Sequence, residues 1–180
     1  MSKTILVATD GSAQSAKALA LGCDLVQRHD GRLCLVHVLL RDKAPRELRR
    51  LAVIGRLDAE LRGELEQAES RMPDASVPDW APVMDPGSVP SPVPKRVLNA
   101  IGREILDDAL SAARQQGVDE AAQELEDGDP VKCILAVAKR QAADTIVMGH
   151  RGLRDIDALT LGSVSNEVSR LAACDVIMIK

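Results

Sequence analysis

Short apolar runs alternate with amphipathic segments over most of the chain. Residues 4–9 and 33–40 are almost continuously apolar, and His37 is the polar exception in the second run. Strands without polar alternation are typical of a parallel sheet that helices cover on both faces. Between the two runs, apolar residues recur at helical spacing behind Ser12, a suitable N-cap. The pattern predicts a β-α-β unit.

The same alternation returns after residue 95. A helical face begins at Lys95, and a second helix begins at Asp129 and Pro130, where Asp129 caps and Pro130 needs no backbone partner. Further strands are predicted at 118–125, 145–148 and 176–179, with a last helix before the final strand. We therefore predict one domain over residues 1–180. Its expected fold is a three-layer, doubly wound α/β sheet of about five parallel strands in the order 3-2-1-4-5.

A segment of different character, residues 41–94, follows the second strand and is called the insertion segment below. Leucines at roughly helical spacing among charged residues predict one long amphipathic helix over 44–72. Residues 72–94 contain seven of the nine prolines and the single tryptophan, Trp80, which predicts an extended loop. We expect Trp80 either to fill an apolar gap or to cover a ligand. The predicted helix is rich in arginine, and its charged side is expected to be either a solvated face or a site for a protein partner.

Composition excludes several classes of protein. The net charge is −4, and Phe and Tyr are absent, which disfavours nucleic-acid binding through basic or aromatic surfaces. No apolar run approaches the roughly 20 residues that span a bilayer. The four cysteines lie far apart without a metal-binding spacing, and the chain begins directly with a strand. A reduced, cytoplasmic protein is expected.

Two loops carry candidate chemistry at the carboxyl ends of neighbouring strands, where ligands of such sheets bind. Asp10-Gly11-Ser12 follows the first strand, and a glycine loop starting at Gly149 follows the fourth. Gly149 would let backbone approach a ligand, and Gly152 would take the positive φ of an anion-binding turn. Gly162 and Ser163 open a helix whose free N–H groups favour phosphate.

Side chains near these loops add to the hypothesis. Arg151 supplies a cation, and Ser163 and Ser165 supply hydroxyl groups. His150 either contacts phosphate or is simply exposed. His37, inside an apolar strand, is interpreted as a core histidine with satisfied hydrogen bonds rather than a catalyst.

The spacing Gly149-x2-Gly152-x9-Gly162-Ser163 resembles the ATP-binding motif of the universal stress protein family. The first strand with Asp10-Gly11-Ser12, the Leu35-Val36-His37-Val38 strand, Gly128-Asp129-Pro130 and the strand before Gly149 also resemble the family in order. The resemblance covers roughly residues 1–40 and 95–180. His150 and the insertion segment depart from the family pattern.

The resemblance implies an adenine-nucleotide site, with ATP, ADP or AMP bound with or without Mg²⁺. Asp10 would lie near the ribose and Val38 against the base. The implied binding residues are Ala8, Thr9, Asp10, Val38, Met148, Gly149, Arg151, Gly152, Gly162, Ser163, Val164 and Ser165. It further implies a homodimer through the last strand, which begins at Val176 and ends at Ile179.

Three functions remain open at this point. The first is a nucleotide-binding regulatory protein of the stress response. The second is a slow ATP hydrolase or phosphotransferase, for which the sequence lacks a GxxxxGK[ST] loop and a second acidic motif. The third is a nucleotide-free module that binds a partner through the insertion segment.

Overall fold

The computed structural model describes residues 2–41, 43, 45–71, 93–153 and 162–180. In these ranges strands alternate with helices, and a 3₁₀ turn, Ala52–Arg56, separates the second and third helices. The bounds in chain order are β1 (Thr4–Ala8), α1 (Ala13–Arg28), β2 (Arg32–Val38), α2 (Pro45–Leu48), α3 (Ala59–Arg71), α4 (Lys95–Gln115), β3 (Ala121–Glu126), α5 (Pro130–Arg140), β4 (Thr145–Gly149), α6 (Ser163–Leu171) and β5 (Asp175–Ile179).

The described strands form one parallel sheet of five strands in the order β3-β2-β1-β4-β5. This order confirms the prediction of 3-2-1-4-5. The central strand β1 places Ala8 beside Val36 of β2 and beside Met148 of β4. The chain first builds the sheet on the β2 side of β1 and then on the β4 side, so the order reverses between β1 and β4.

Helices cover both faces of the sheet. Ile5 and Val7 join the core formed with α1 and α4, whereas Leu6 joins the core formed with α5 and α6. Successive side chains of a strand point to opposite faces, which explains why unbroken apolar runs form β1, β2 and β4. The predicted three-layer α/β fold is confirmed. No helix in the described ranges is long and apolar enough to cross a membrane.

Local signals start two helices where the sequence predicts. The Ser12 hydroxyl accepts a hydrogen bond from the Ser15 amide at 3.2 Å at the start of α1. The Asp129 carboxylate accepts from the Lys132 amide at 2.8 Å at the start of α5, and Pro130 occupies the first turn. Both caps satisfy backbone donors that a helix leaves free at its N-terminus.

The prediction of a single helix over residues 44–72 is wrong. Asp58 accepts a hydrogen bond from the Leu61 amide at 2.8 Å, and α3 starts anew behind this residue. The leucines of the stripe still pack with α4 in one apolar cluster, which includes Leu48, Leu51, Leu57 and Leu65. The pattern therefore identified the buried face but not the breaks. The proline-rich loop and Trp80 lie outside the described residues, apart from Val93 and Pro94.

Asp127, directly after β3, links the two ends of the insertion segment. Its carboxylate accepts from Arg41, with Nη2 to Oδ2 at 2.7 Å, and from Lys95, with Nζ to Oδ2 at 2.6 Å. The hydrogen bond from Arg41 is the main cause that lowers the pKa of Asp127. Arg41 precedes the helices of the insertion segment, and Lys95 begins α4 directly after the segment. The Asp127 carboxylate therefore holds the two ends of the insertion segment close to the end of β3.

Candidate functional site

The two loops predicted to carry the site open at the same edge of the sheet. Asp10 follows β1 and His150 follows β4, and these strands are paired neighbours. Parallel strands present their carboxyl ends at one edge, and the reversal of strand order leaves a crevice there.

Hydrogen bonds within the chain hold the first loop. The Asp10 carboxylate accepts from the Ser12 amide at 3.0 Å through Oδ1, and Gly11 between them has φ +80°. The Thr9 hydroxyl donates to Ser15 Oγ at 3.2 Å, and Ser15 donates to the Ser12 carbonyl at 2.8 Å. The turn is therefore fixed before any ligand arrives.

The two loops touch where Asp10 meets Gly152. A Cβ atom on Gly152 would lie 2.5 Å from Asp10 Oδ2. The absence of a side chain at position 152 thus makes room for this carboxylate oxygen. Asp10 is half-buried at the contact, with one oxygen committed to its own turn and the other against the glycine loop.

His150 connects the second loop to its surroundings. Its backbone amide and its ring Nδ1 both contact the Ile179 carbonyl, at 2.8 and 2.9 Å. Its own carbonyl accepts from the Gly162 amide at 2.9 Å and from the Ser165 hydroxyl at 2.7 Å. His150 therefore joins the end of β5 to the start of α6. The sequence left two hypotheses for His150, contact with phosphate or simple exposure. Simple exposure does not describe this residue, because it is half-buried and hydrogen-bonded.

Close packing within the protein requires glycine at positions 149 and 152 of the loop. Gly152 does not have the expected positive φ; the described glycines with positive φ are Gly11, Gly117 and Gly128. A Cβ on Gly149 would lie 2.8 Å from the Arg151 carbonyl and 2.9 Å from Gln14 Cβ. The predicted approach of its backbone to a ligand stays a prediction. In both cases close packing of chain against chain, not a turn conformation, requires glycine.

Between the loops lies a cavity of about 320 Å³. All the residues that the sequence singled out for the nucleotide line it: Ala8, Thr9, Asp10, Val38, Met148, Gly149, Arg151, Gly152, Gly162, Ser163, Val164 and Ser165. The structure thus brings together positions up to 157 residues apart, from Ala8 to Ser165. Which of them contact a ligand stays a prediction.

Two of these residues use their hydroxyl protons inside the protein. Ser165 is 2% exposed and donates to the carbonyls of His150 and Gly162. Thr9 is 8% exposed and donates to Ser15. Because each hydroxyl already donates its proton within the protein, neither is a ready donor to phosphate, and each retains oxygen lone pairs only for accepting. Ser163 is exposed, lines the cavity and begins α6, whose first backbone N–H groups have no acceptor within the helix.

The sequence did not predict all of the residues that line the cavity. The additional lining residues are Ser15, Val36, Leu39, Leu40, Lys43, Pro130, Ile134, His150 and Leu153. Val36 could have been found from Val38, because residues two apart in a strand share a face. Leu40 and Lys43 could not, since Leu40 follows the end of β2, Lys43 lies in the insertion segment, and the family motif includes neither.

The wall divides into an apolar part and a charged part. Strand and helix residues such as Val36, Val38, Ile134 and Met148 form an apolar surface. The charged residues among the described lining are Asp10, Lys43 and Arg151. An apolar surface next to cations and a helix N-terminus suits a flat ring that carries an anionic group. No group of three or more His, Cys, Asp or Glu side chains able to hold a metal ion occurs in the described ranges.

His37 lies behind the first loop, on the side of β2 away from the cavity. It is 1% exposed, and its Nδ1 lies 2.8 Å from the Thr9 carbonyl. Its Nε2 has no hydrogen-bond partner among the described residues. The interpretation as a core histidine agrees with its burial, but only one ring nitrogen is satisfied. Burial lowers the pKa of His37, against smaller opposing effects of the Thr9 hydrogen bond and the Asp10 charge.

These features define a class of protein: doubly wound α/β domains with a ligand crevice at the point where the strand order reverses. Comparison with known proteins identifies the family. The model of the universal stress protein family matches residues 1–180. The chain belongs to the universal stress protein family, as the sequence resemblance predicts.

Relatives and solved structures agree with this assignment. The chain is 29% identical over 180 residues to universal stress protein YxiE of Bacillus subtilis, and the match covers 100% of both chains. It is 31% identical, with the same full coverage, to a Thermus aquaticus protein named universal stress protein in QAH/OAS sulfhydrylase 3′ region. The fold matches universal stress protein UspA from Lactobacillus plantarum with a TM-score of 0.64 at 18% identity, over 99% of this chain and 97% of that one.

Two further structures of similar fold contain a nucleotide. One is a universal stress protein in complex with cAMP, with a TM-score of 0.56 at 19% identity over 99% of this chain and 96% of that one. The other is the Archaeoglobus fulgidus universal stress protein in complex with dAMP, with a TM-score of 0.55 at 19% identity over 100% and 98%.

Proposed function

We propose that this protein binds an adenine nucleotide in the cavity between the Asp10 loop and the glycine loop, and that occupancy of this site regulates its role in the stress response. The observation that carries the proposal is the lining of the cavity. It contains every residue that the sequence motif selected for the nucleotide, from both loops and from β2. The cAMP and dAMP complexes of proteins with the same fold support an adenine ligand.

In this proposal, each part of the ligand meets the part of the wall that its chemistry favours. The base lies against the apolar surface that includes Val38, and the ribose lies near Asp10. The phosphates lie at Arg151 and at the N-terminus of α6, where Gly162 is the N-cap and leaves helix N–H groups for an anion. ATP, ADP and AMP share the first two contacts and differ in the third.

We favour nucleotide binding over catalysis as the function of this site. Asp10 is the one carboxylate among the described lining residues, and its Oδ1 is already bonded to the Ser12 amide. Phosphoryl transfer relies on a positioned nucleophile and on several charges that stabilise the transition state. Any ATP hydrolysis is therefore expected to be slow.

Calorimetry with ATP, ADP, AMP and cAMP, each with Mg²⁺ or with EDTA, tests the binding proposal. We expect dissociation constants in roughly the micromolar to sub-millimolar range. Gly162→Val tests the site, because a Cβ at position 162 would lie 2.8 Å from the His150 carbonyl oxygen. We expect at least a roughly tenfold loss of affinity, about 1.4 kcal/mol, with the circular-dichroism spectrum unchanged.

Gly55→Val is the matched control for this substitution. Among the described residues no atom lies within 4 Å of a Cβ built on Gly55, which is in the 3₁₀ turn and does not line the cavity. The control should bind like the wild type. Absence of binding by folded wild-type protein would refute the proposed function, and full affinity in Gly162→Val would refute the placement of the site.

The proposal includes a homodimer formed through β5. In the described sheet β5 is an edge strand, and Leu171, just before it, is 57% exposed. An unpaired apolar edge is suited to pairing with another chain. A cytoplasmic location is also part of the proposal, and four free cysteines are consistent with a reducing compartment.

A further inference from the structure

A buried histidine near the carboxyl end of β2 makes a contact that an apolar core residue could not make. The His37 Nδ1 lies 2.8 Å from the Thr9 carbonyl oxygen. A carbonyl oxygen accepts and does not donate, so the ring must carry its proton on Nδ1. In the neutral ring Nε2 then has no proton and is an acceptor, and no donor reaches it within the described chain.

The contact acts on the peptide group that leads into Asp10. The Thr9 carbonyl and the Asp10 amide belong to one planar peptide unit. The other side of Thr9 is held as well, because its amide donates to the Val36 carbonyl at 2.9 Å. Val36 and His37 therefore fix Thr9 from neighbouring positions of β2, and the orientation of the plane sets the direction in which the Asp10 side chain leaves the backbone.

The ring is closely packed between α4 and β3. A Cβ on Gly102 of α4 would lie 2.9 Å from His37 Cδ2 and 2.6 Å from Leu125 Cδ1. The helix thus has a glycine where the imidazole and Leu125 fill the space. The ring packs against α4, and among the described residues its one hydrogen bond is the one to Thr9.

We propose that His37 is a positioning residue for Asp10: its Nδ1–H group orients the Thr9–Asp10 peptide so that the carboxylate faces the ligand cavity beside Gly152. This inference rests on the proposed nucleotide function for its effect on binding. The contact itself exists without a ligand, so its effect on the loop can be measured separately.

Two amide substitutions provide a matched test. His37→Asn places an amide nitrogen near the position of Nδ1, whereas His37→Gln places it near Nε2, so only the first retains the donor to Thr9. We expect His37→Asn to bind AMP within about threefold of wild type and His37→Gln to bind at least about tenfold more weakly. Leu35→Val, a change on the same face of β2, controls for general damage to the core and should bind like wild type.

A double-mutant cycle separates positioning from structural support. If His37 acts through Asp10, His37→Gln should have no further effect on AMP affinity in an Asp10→Ala background. An unchanged tenfold loss in that background, or equal affinities of His37→Asn and His37→Gln, would overturn the proposal. If His37→Gln does not fold, His37→Leu, which also lacks the donor, replaces it in the cycle.

Hydrogen exchange without nucleotide distinguishes failure of this inference from failure of the proposed function. The Ser12 amide donates to Asp10 Oδ1, so its protection reports the orientation of the carboxylate. We expect protection at Ser12 in wild type and His37→Asn, and its loss in His37→Gln, even if no nucleotide binds. Equal protection in all three proteins would refute the positioning role.

Discussion

A single buried ring makes the stability of this protein depend on pH. Burial lowers the pKa of His37 in the folded state, whereas in the unfolded chain histidine titrates near 6.5. Between these two values the unfolded chain binds the proton and the folded chain does not, so stability rises with pH. The full contribution is present above about pH 6.5 and is lost as the pH falls below it.

The expected loss can be measured against a variant that does not titrate. From pH 6.5 to pH 5, wild type should lose up to about 2 kcal/mol of unfolding free energy relative to His37→Asn, at about 1.4 kcal/mol per pH unit. Urea denaturation at constant ionic strength gives both curves, and their slopes are compared. Parallel curves over this range would show that the folded protein accepts the proton on His37 without cost.

Individual residues of the site were predictable in identity but not in role. The motif selected Gly152 correctly as a cavity residue, yet its glycine is needed because Asp10 lies against it, not for a positive φ. Asp10 is far away in sequence, and only the folded chain brings the two together. Likewise Ser165 could be identified from the motif, but its bonds to the His150 and Gly162 carbonyls depend on how the loop closes.

The helices contain two glycines whose replacement by alanine should have opposite effects. Within the described part of the chain, a Cβ on Gly63 in α3 would meet no atom within 4 Å, whereas one on Gly102 in α4 would approach Leu125 and His37 side chains to within 3 Å. Gly63→Ala should stabilise the protein by about 0.5–1 kcal/mol, because alanine is the better helix former. Gly102→Ala should destabilise it by about 1–3 kcal/mol through overpacking.

Chemical denaturation of both variants checks this pair, with the slope of the unfolding free energy against denaturant serving as the test for an unchanged denatured state. A Gly102→Ala protein as stable as wild type would mean that the imidazole and Leu125 can move aside. In that case the His37 ring would be less rigidly packed than the positioning role assumes.

Elements were predictable where a local side chain sets their start. Ser12 and Asp129 accept from backbone amides three residues onward, and no distant contact is needed for either cap. For the insertion segment, the starts and ends of the helices could not be predicted in this way. Its leucine spacing continues through residues that form separate short helices, because burial against α4 imposes the spacing while Asp58 restarts the helix.

At the scale of the whole molecule, the proposed dimer depends on one edge of the sheet. The Asp175 amide donates to Asp144 and the Ile179 carbonyl accepts from His150, so these residues of β5 face β4. Because backbone directions alternate along a strand, Val176 directs its amide to the outer edge. Val176→Pro should therefore remove an intersubunit donor without breaking the β4–β5 ladder.

Sedimentation equilibrium over a range of concentrations measures the result. We expect a dimer for wild type and for the control Val176→Thr, which keeps the amide, and a monomer for Val176→Pro with an unchanged circular-dichroism spectrum. A wild type that remains monomeric at every concentration would remove β5 pairing from the proposal.

The order of the strands was the most predictable property of the molecule. Parallel strands joined by right-handed helical connections on both faces leave few arrangements, and the apolar runs identified the strands. The path of the chain directly after β2 was harder to predict. Leu39 and Leu40 line the cavity as they leave the sheet, and the contacts that hold them come from β3 and from the insertion segment.

Asp127 has a consequence for how chains of this kind can change in evolution. Since Arg41 and Lys95 meet at one carboxylate, the intervening chain leaves and re-enters the domain at nearly the same point. The closure cost of a loop grows only slowly with its length. We therefore expect insertions and deletions between these two anchors to leave β2 and α4 in place, so that a new binding function can arise there while the Asp10 loop and the glycine loop keep their structure.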